Sequence, residues 1–356
     1  MSAMQISSDP SVILAIDLGK YKSVACWYSP GDASARFESL TTSKAALERL
    51  LGEHRPTVVI EACALSGWVS DFCGERGVTC LVANTASEAW KFKHAKRKTD
   101  RDDALRLAQL QSLQQLPTVV IPAKPTRQWR ALIAHRQVLV GERVAAQNRM
   151  RSILVGQGLP APRGASAWSE LGLQGLEQLA RPLAECGEED LWRGQLQQVL
   201  AMYRELLKLI AEVEAKLDEI AAEREAVQRL RTIPGVGPRT AETVAAYLPD
   251  AKRFESGKQV SAYAGLVPRQ YQSGELDRRG RITRRGPALL RKLLVECAWC
   301  MLRYNAWARS VYARLSRGKA RRKQAIVALA RKLLVRCWAM LRDGTDWREE
   351  VSAPAG

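Results

Sequence analysis

Apolar runs of strand length alternate with helical patterns over the first part of the chain. The runs VILAID, KSVACWY, TVVIEA and VTCLVA each have the length of a strand, and residues 67–76 follow a helical pattern between the last two. A further helix is predicted after Thr99, where apolar residues continue without a helix breaker. The alternation predicts an α/β domain over residues 12–155.

A heptad pattern follows a segment rich in Gly, Pro and Ala that is typical of a linker. Over four repeats, apolar residues occupy two seam positions: Leu196, Tyr203, Ile210 and Leu217 in one, and Val199, Leu206, Val213 and Ile220 in the other. Such a period favours a coiled coil and, with it, self-association. The alternative is a helical hairpin formed within one chain. Residues 156–230 are therefore predicted to be a linker and coiled-coil connector.

The sequence LRTIPGVGPRTAETVAAYL has the form of a helix-hairpin-helix element, the start of a mainly helical domain over residues 231–345. Gly235 and Gly237 allow a tight turn, and backbone N–H groups at the start of the next helix are suited to bind a phosphate. A plain helical turn without a ligand is the alternative.

The charge distribution indicates a polyanionic partner. The 55 Lys and Arg outnumber the 37 Asp and Glu, which gives a formal charge of +18. Residues 314–336 contain nine basic residues and no acidic one. An uneven excess of this size is typical of a nucleic-acid-binding surface.

The eight cysteines lie mostly in apolar runs and lack the paired spacing of a zinc site, so we interpret them as buried thiols. No secretory signal pattern and no apolar run of about 18 residues is present, so neither export nor membrane insertion is expected. The sequence predicts a cytoplasmic protein.

Carboxylates at the ends of strands and at the start of a helix form a candidate metal site. Asp17 ends the strand VILAID, Glu61 ends TVVIE, and Asp100 and Asp103 share one helical face in KTDRDDA. Asp100 and Asp103 could instead stabilise the helix start as an N-cap residue and its third neighbour. With all four in one small domain, we favour a hard-cation site for Mg²⁺ and phosphoryl transfer. Nearby cations could contact phosphate or form a solvated charge run: Lys96, Arg97, Lys98 and Arg101.

These motifs resemble the bridge-RNA-guided insertion-sequence transposases of the IS110 family. The resemblance rests on AIDLG, VIEA and KTDRDDA, followed by IPGVG and SAYAGLVPRQYQSGELDRRGRITRRGPALLRKLLVECA, and it covers nearly the whole chain. It implies a RuvC-like domain of the RNase H type whose Asp-Glu-Asp-Asp ligands are Asp17, Glu61, Asp100 and Asp103. It further implies a bacterial, nucleoid-associated enzyme that acts on donor and target DNA with a guide RNA, as a homo-oligomer, a dimer of dimers.

The resemblance also implies a serine nucleophile, which we place at Ser273 in QYQSGELDRRGR. Without the resemblance, a Ser-Gly in a polar stretch is usually a turn. Ser261 is the nearest competitor, and its apolar helical context predicts burial. Arginines around Ser273 would hold the scissile phosphate: Arg278, Arg279, Arg281, Arg284 and Arg285.

Two other functions remain open from the sequence, and a third is disfavoured. A RuvC-like junction resolvase would need only the carboxylates and would form no covalent product. A non-catalytic nucleic-acid-binding protein would need only the basic segments. An actin-like ATPase shares Asp17 and Gly19, but the sequence has no second glycine-rich phosphate loop after a later strand.

Overall fold

The computed structural model describes residues 12–84, 99–273, 276–316 and 321–348, with the backbone alone for 271–273 and 276–279. The chain divides into two compact units, Met1–Arg127 and Gln128–Gly356. The domain limits predicted at 155 and 230 differ from this division and stay predictions.

A mixed five-stranded sheet forms the centre of the first unit. Its strands are β1 (Ile13–Asp17), β2 (Lys22–Ser29), β3 (Ser34–Thr41), β4 (Thr57–Glu61) and β5 (Cys80–Ala83). They lie in the order β3-β2-β1-β4-β5, with β1, β2 and β3 antiparallel and β1, β4 and β5 parallel. This arrangement confirms the predicted α/β fold and fits an RNase-H-like domain.

Helices cover both faces of the sheet, because β1 and β4 are apolar on both sides. The helices are α1 (Lys44–Leu51), α2 (Ser66–Glu75) and α3 (Asp100–Ser112). Leu14, Ile16 and Ile60 face a core shared with α1 and α2. Ile13, Ala15 and Val59 face the opposite core, where α3 buries its small residues.

Two long helices of the second unit form an antiparallel hairpin, α4 (Lys124–Gly156) with α6 (Leu191–Ala222). Arg136 Nε donates to Glu214 Oε1 at 2.6 Å, and Gln147 Nε2 donates to the Tyr203 hydroxyl at 3.3 Å. Residues later in α4 therefore pair with residues earlier in α6, as antiparallel helices require.

The heptad seam of α6 packs inside this chain. Leu196, Val199, Tyr203, Leu206 and Ile210 are buried in one core with α4 residues. Burial of a Leu side chain contributes about 1.5–3 kcal/mol, so packing against α4 already supplies the stabilisation that a partner chain would otherwise give to these residues. A coiled coil between chains is therefore not what buries the seam: the intramolecular hairpin, the alternative interpretation, is the arrangement found. The expected dimer of dimers stays a prediction.

The Gly- and Pro-rich segment before α6 contains an additional helix, α5 (Glu170–Leu179). Ser169 caps it by accepting a hydrogen bond from the Gly172 amide. Leu173 and Leu176 are buried against α6. The segment predicted to be a linker therefore contributes to the hairpin core.

The rest of the second unit is mainly helical, as predicted, around one large core. Its helices are α7 (Glu225–Arg231), α8 (Pro238–Tyr247), α9 (Gly257–Tyr263), α10 (Ala288–Tyr304), α11 (Ala306–Ser316) and α12 (Arg322–Asp343). One two-stranded ribbon interrupts them, β6 (Pro268–Ser273) with β7 (Leu276–Ile282). No helix in the described ranges is long and apolar enough to cross a membrane.

The cysteines are only partly buried. Cys26, Cys73, Cys297 and Cys337 are buried, as predicted, whereas Cys63 and Cys300 are exposed. Cys63 lies just after β4 and Cys300 near the end of α10, where the apolar sequence around them does not coincide with a covered face. The interpretation of all eight as buried thiols was wrong for these two, and Cys80 and Cys186 are only partly buried.

Glu242 on α8 is a buried acid, with its nearest cation, Arg239, at 3.3 Å. Burial raises its pKa to about 7, although Arg239 and Arg136 act to lower it; Asp218 and Glu214 raise it further. Folding therefore favours the neutral carboxyl. The protonated Glu242 carboxyl therefore contributes to the free energy of unfolding. This contribution is fully present below the pKa of the unfolded chain, about 4.3, and is lost as the pH rises through the folded pKa of about 7.

We expect Glu242→Gln to remove this loss. Urea unfolding at pH 5 and pH 8 should show the wild-type free energy of unfolding falling, relative to the variant, by up to about 3 kcal/mol between the two. Exposed Glu255→Gln is the control and should leave the pH dependence unchanged. An equal pH dependence in wild type and Glu242→Gln would contradict a neutral Glu242 in the folded chain.

Candidate functional site

Two carboxylates end adjacent parallel strands at the same edge of the sheet. Ile16 of β1 is the register partner of Ile60 of β4, so Asp17 and Glu61 follow side by side. Ala15 and Val59 lie two residues before them and belong to the core on the α3 side of the sheet. Side chains alternate along a strand, so residues two apart share a face. Asp17 and Glu61 are therefore on the face that α3 covers, and both are partly buried.

At the start of α3, the residues that cap the helix are distinct from Asp100 and Asp103. Thr99 is the N-cap and accepts from the Asp102 amide, while Asp102 Oδ2 accepts from the Thr99 amide at 3.1 Å and hydroxyl at 2.7 Å. This capping box satisfies the helix end. Asp100 and Asp103, for which the sequence left a capping role open, are not the residues that perform it.

Asp103 and Asp100 differ in exposure. Asp103 precedes Ala104, which is fully buried against the sheet, and its Oδ1 atom is itself buried. Asp100 is exposed in the first turn. Within the described ranges, no group of three or more His, Cys, Asp or Glu side chains could hold a metal ion as it stands. The backbone brings Asp17 and Glu61 together and aligns α3 with their face, without assembling a closed ligand shell.

Of the four cations predicted beside this site, the structure describes Arg101. Arg101 is exposed, with its guanidinium carbon 5.7 Å from the centre of the Phe37 ring on β3. Lys96, Arg97 and Lys98 lie outside the described residues.

Ser273 is the last residue of β6, at the tip of the ribbon. Its register partner is Leu276, the first residue of β7. The side chains of Ser273, Arg278 and Arg279 lie outside the described residues, so only the backbone position of this serine is established.

The base of the ribbon is fixed by two glycines, which the sequence reasoning missed. Gly265 (φ +66°) and Gly286 (φ +78°) have the left-handed backbone that favours glycine. A Cβ on Gly265 would lie 2.0 Å from the Arg285 carbonyl oxygen, and one on Gly286 would lie 2.0 Å from that of Tyr263. The two chain segments therefore cross in direct contact, and the only sequence signal is the glycine in AGLVP and in RRGP.

Arg291 on α10 joins the two crossing segments. Its Nη1 donates to the carbonyl oxygens of Ala264, Arg285 and Gly286 at 3.1, 3.0 and 2.9 Å. Burial and then the neighbouring Arg284 lower its pKa. Beside this base, the described cations Arg281, Arg284 and Arg285 are exposed. The ribbon thus stands on a rigid base with cations around it.

Ser261 is buried, as predicted. It lies in α9 with 3% of its surface exposed, and its Oγ donates to the Gly257 carbonyl at 2.7 Å. Although Ser261 borders a cavity among α9, α11 and α12, its small exposed surface and its hydrogen bond to Gly257 leave the hydroxyl poorly placed to attack a polymer.

A short turn joins α7 and α8, as the sequence indicated, whereas its assignment as a helix-hairpin-helix element stays a prediction, and its two glycines differ in role. Gly235 (φ +91°) packs on α10, where a Cβ would lie 3.0 Å from Met301. Gly237 is the N-cap of α8 and has open space where a Cβ would be. Gly235 is thus required for packing, and only Gly237 retains an open side toward a ligand.

Comparison with known proteins gives two family matches. Residues 227–313 match the model described as "Transposase IS116/IS110/IS902 family", and residues 14–157 match a transposase model for DEDD enzymes of the IS110 type. The first match contains the ribbon and its base, and the second contains the sheet except for Ile13, together with α3 and the whole of α4.

Curated relatives cover most of the chain. The transposase for insertion sequence element IS1111A of Coxiella burnetii is 32% identical over 304 residues, 82% of this chain and 79% of that protein. The transposase for IS1328 of Yersinia enterocolitica is 29% identical over 342 residues, 94% of this chain and 97% of its own. The pilin gene-inverting protein of Moraxella lacunata is 34% identical over 125 residues, 34% of this chain and 38% of its own.

Two family models match in the expected order, and the relative from Coxiella burnetii shares about a third of its residues over most of both chains. The chain therefore belongs to the IS116/IS110/IS902 family of transposases, enzymes that bind and cut DNA.

Proposed function

We propose that this transposase cuts and rejoins donor and target DNA by metal-dependent phosphoryl transfer through a covalent phosphoserine at Ser273, with a bound guide RNA that selects both sites. The observation that carries the proposal is the register of β1 with β4, which puts Asp17 and Glu61 side by side under α3. Adjacent carboxylates on a rigid sheet edge are suited to hold a cation that binds phosphate.

The donor chemistry fits Mg²⁺. Asp17, Glu61, Asp100 and Asp103 offer only carboxylate oxygens, the ligands that this hard cation takes. When bound, the ion would neutralise charge that develops on the phosphate and on the departing 3′ oxygen. Thr99 and Asp102 would keep the start of α3 ordered while Asp100 and Asp103 act as ligands.

Ser273 would supply the attacking oxygen. Its Oγ forms a bond to phosphorus as the bond from phosphorus to the 3′ oxygen breaks, and the hydroxyl proton passes to the departing 3′ oxygen or to water. A 3′ hydroxyl of another strand then attacks the phosphoserine, and Oγ leaves and regains a proton. One phosphodiester is exchanged for another, so no high-energy cofactor is required.

The base of the ribbon supports this role for Ser273. The close contact at Gly265 and Gly286, together with the hydrogen bonds of Arg291, fixes the backbone where β6 begins and where β7 ends. Arg281, Arg284 and Arg285 are exposed and could stabilise the phosphate charge. The similarity to a protein described as pilin gene-inverting supports a reaction that rejoins strands as well as cutting them.

The proposal of a guide RNA rests on charge without a base-reading element. The chain carries a formal charge of +18, and the sequence contains neither a zinc-finger pattern nor a recognition helix signature with Asn or Gln. When base pairing selects the site, the protein needs only backbone contacts, which a basic surface provides.

We expect recombination to follow the RNA. When the guide loops and the DNA site are changed together with the protein constant, recombination should appear at the new site. RNA changed alone, and DNA changed alone, are the matched controls and should give no product. Recombination that stays at the old DNA sequence whatever RNA is supplied would show that the protein reads DNA directly.

A further inference from the structure

A basic cavity lies in the second unit among α9, α11 and α12. Its volume is about 590 Å³, within the roughly 300–1,000 Å³ of typical ligand sites. In the part of the chain that the structure describes, no acidic side chain lines it. Its cationic lining consists of Lys258, Arg314, Arg331, Lys332 and Arg336.

Four of the five cations of this cavity lack a local counter-charge within the described ranges. Neither α9 nor α11 contains an acidic residue, and α12 contains none before Asp343. Among the residues that the structure describes, Lys258, Arg314, Arg331 and Lys332 form no ion pair. Because like charges that converge in a concave site repel one another, an anion in the cavity would relieve that repulsion.

The shape of the cavity is fixed by packing. A Cβ on Gly257 would lie 2.8 Å from Val335 Cγ1, so glycine permits the close approach of α9 to α12. Arg336 is held with its guanidinium carbon 4.8 Å from the centre of the Trp307 ring, and Trp307 packs edge-on against Trp347 at 5.5 Å. One cation is thus oriented before any ligand arrives, which lowers the cost of binding.

We infer that this cavity binds the phosphodiester backbone of a nucleic-acid strand. A single small anion would leave most of the four cations that form no ion pair without a counter-charge, whereas a strand brings a new negative charge with every nucleotide. Val267 lines the cavity and is the residue before β6, so the bound backbone lies at the base of the ribbon that carries Ser273. The inference requires neither the metal site nor the serine chemistry of the proposed function.

The test compares two double variants of α12, each of which removes two positive charges. Arg331→Ala with Lys332→Ala removes cations from the cavity, and Arg322→Ala with Lys323→Ala removes two exposed cations from the start of α12 outside its lining. Binding of the full-length protein to labelled single-stranded DNA and to RNA of the same length is measured by anisotropy over a salt series. Divalent metal is omitted, so that cleavage does not enter the result.

We expect the cavity variant to bind at least tenfold more weakly than wild type near 0.1 M salt. Its plot of log affinity against log salt should be shallower by about 1.4, since each lost single-strand phosphate contact removes about 0.7. The control variant should lose less than threefold. The strand type that shows the larger loss, DNA or RNA, identifies the occupant.

A second cavity variant controls for unfolding of the Arg331→Ala, Lys332→Ala variant. Lys258→Ala with Arg314→Ala removes two exposed cations from the other walls of the cavity, and it should give the same loss with unchanged circular dichroism. Equal affinities for the cavity variants and the α12 control, with both nucleic acids, would overturn the inference.

Discussion

Asp17→Asn and Glu61→Gln are each expected to reduce DNA strand cleavage by roughly 10³-fold or more, about 4 kcal/mol of transition-state stabilisation. Each substitution removes a negative oxygen at the paired ends of β1 and β4 while it preserves side-chain shape. The free energy of unfolding should stay near wild type. Cleavage of a labelled donor duplex in single-turnover conditions measures the effect.

The start of α3 offers a matched pair for the same test. Asp103→Asn should lose cleavage as Asp17→Asn does, because Asp103 is a proposed ligand. Asp102→Asn should retain cleavage, because the Asn carbonyl can still accept from Thr99 and complete the helix cap. Normal cleavage by Asp17→Asn, Glu61→Gln and Asp103→Asn would remove the metal site from these residues. A loss in Asp102→Asn equal to that in Asp103→Asn would indicate only damage to the helix.

Ser273→Ala is expected to abolish the covalent protein–DNA product completely, since no other atom of that side chain can form the phosphoester. Denaturing gels of reactions on labelled DNA would show the product as a shifted band in wild type alone. Metal-dependent binding of DNA should persist, because the substitution leaves the base of the ribbon at Gly265, Gly286 and Arg291 intact.

Ser261→Ala is the control for the nucleophile. Its hydroxyl bonds to Gly257 within α9, so its removal should lower stability by about 1 kcal/mol and leave the covalent product in place. A shifted band that persists in Ser273→Ala would assign the nucleophile elsewhere. If wild type cleaves with metal and never forms the band, the enzyme acts as a resolvase-like nuclease without a covalent step.

The first unit was predictable because its local patterns are unambiguous. Val- and Ile-rich runs buried on both faces predict central parallel strands, and an acidic residue at the end of each predicts a shared edge. The register of Ile16 with Ile60 realises that expectation for Asp17 and Glu61. The assignment of caps was less predictable, because KTDRDDA offers several acids within one turn. Only the hydrogen bonds show that Thr99 and Asp102 close the helix.

The sequence by itself determined the α/β layout, the helical period of α6, the burial of Ser261 and the basic character of α12. These follow from the order and polarity of neighbouring residues, which set local geometry and the apolar face of each element. What covers an apolar face depends on residues far away in the chain, so only the tertiary structure decided that α4 packs on the heptad seam. The same reason applies to Gly265, Gly286 and the cavity of α9, α11 and α12. Each arises where distant segments meet, and nothing in its local sequence specifies the segment that it will meet.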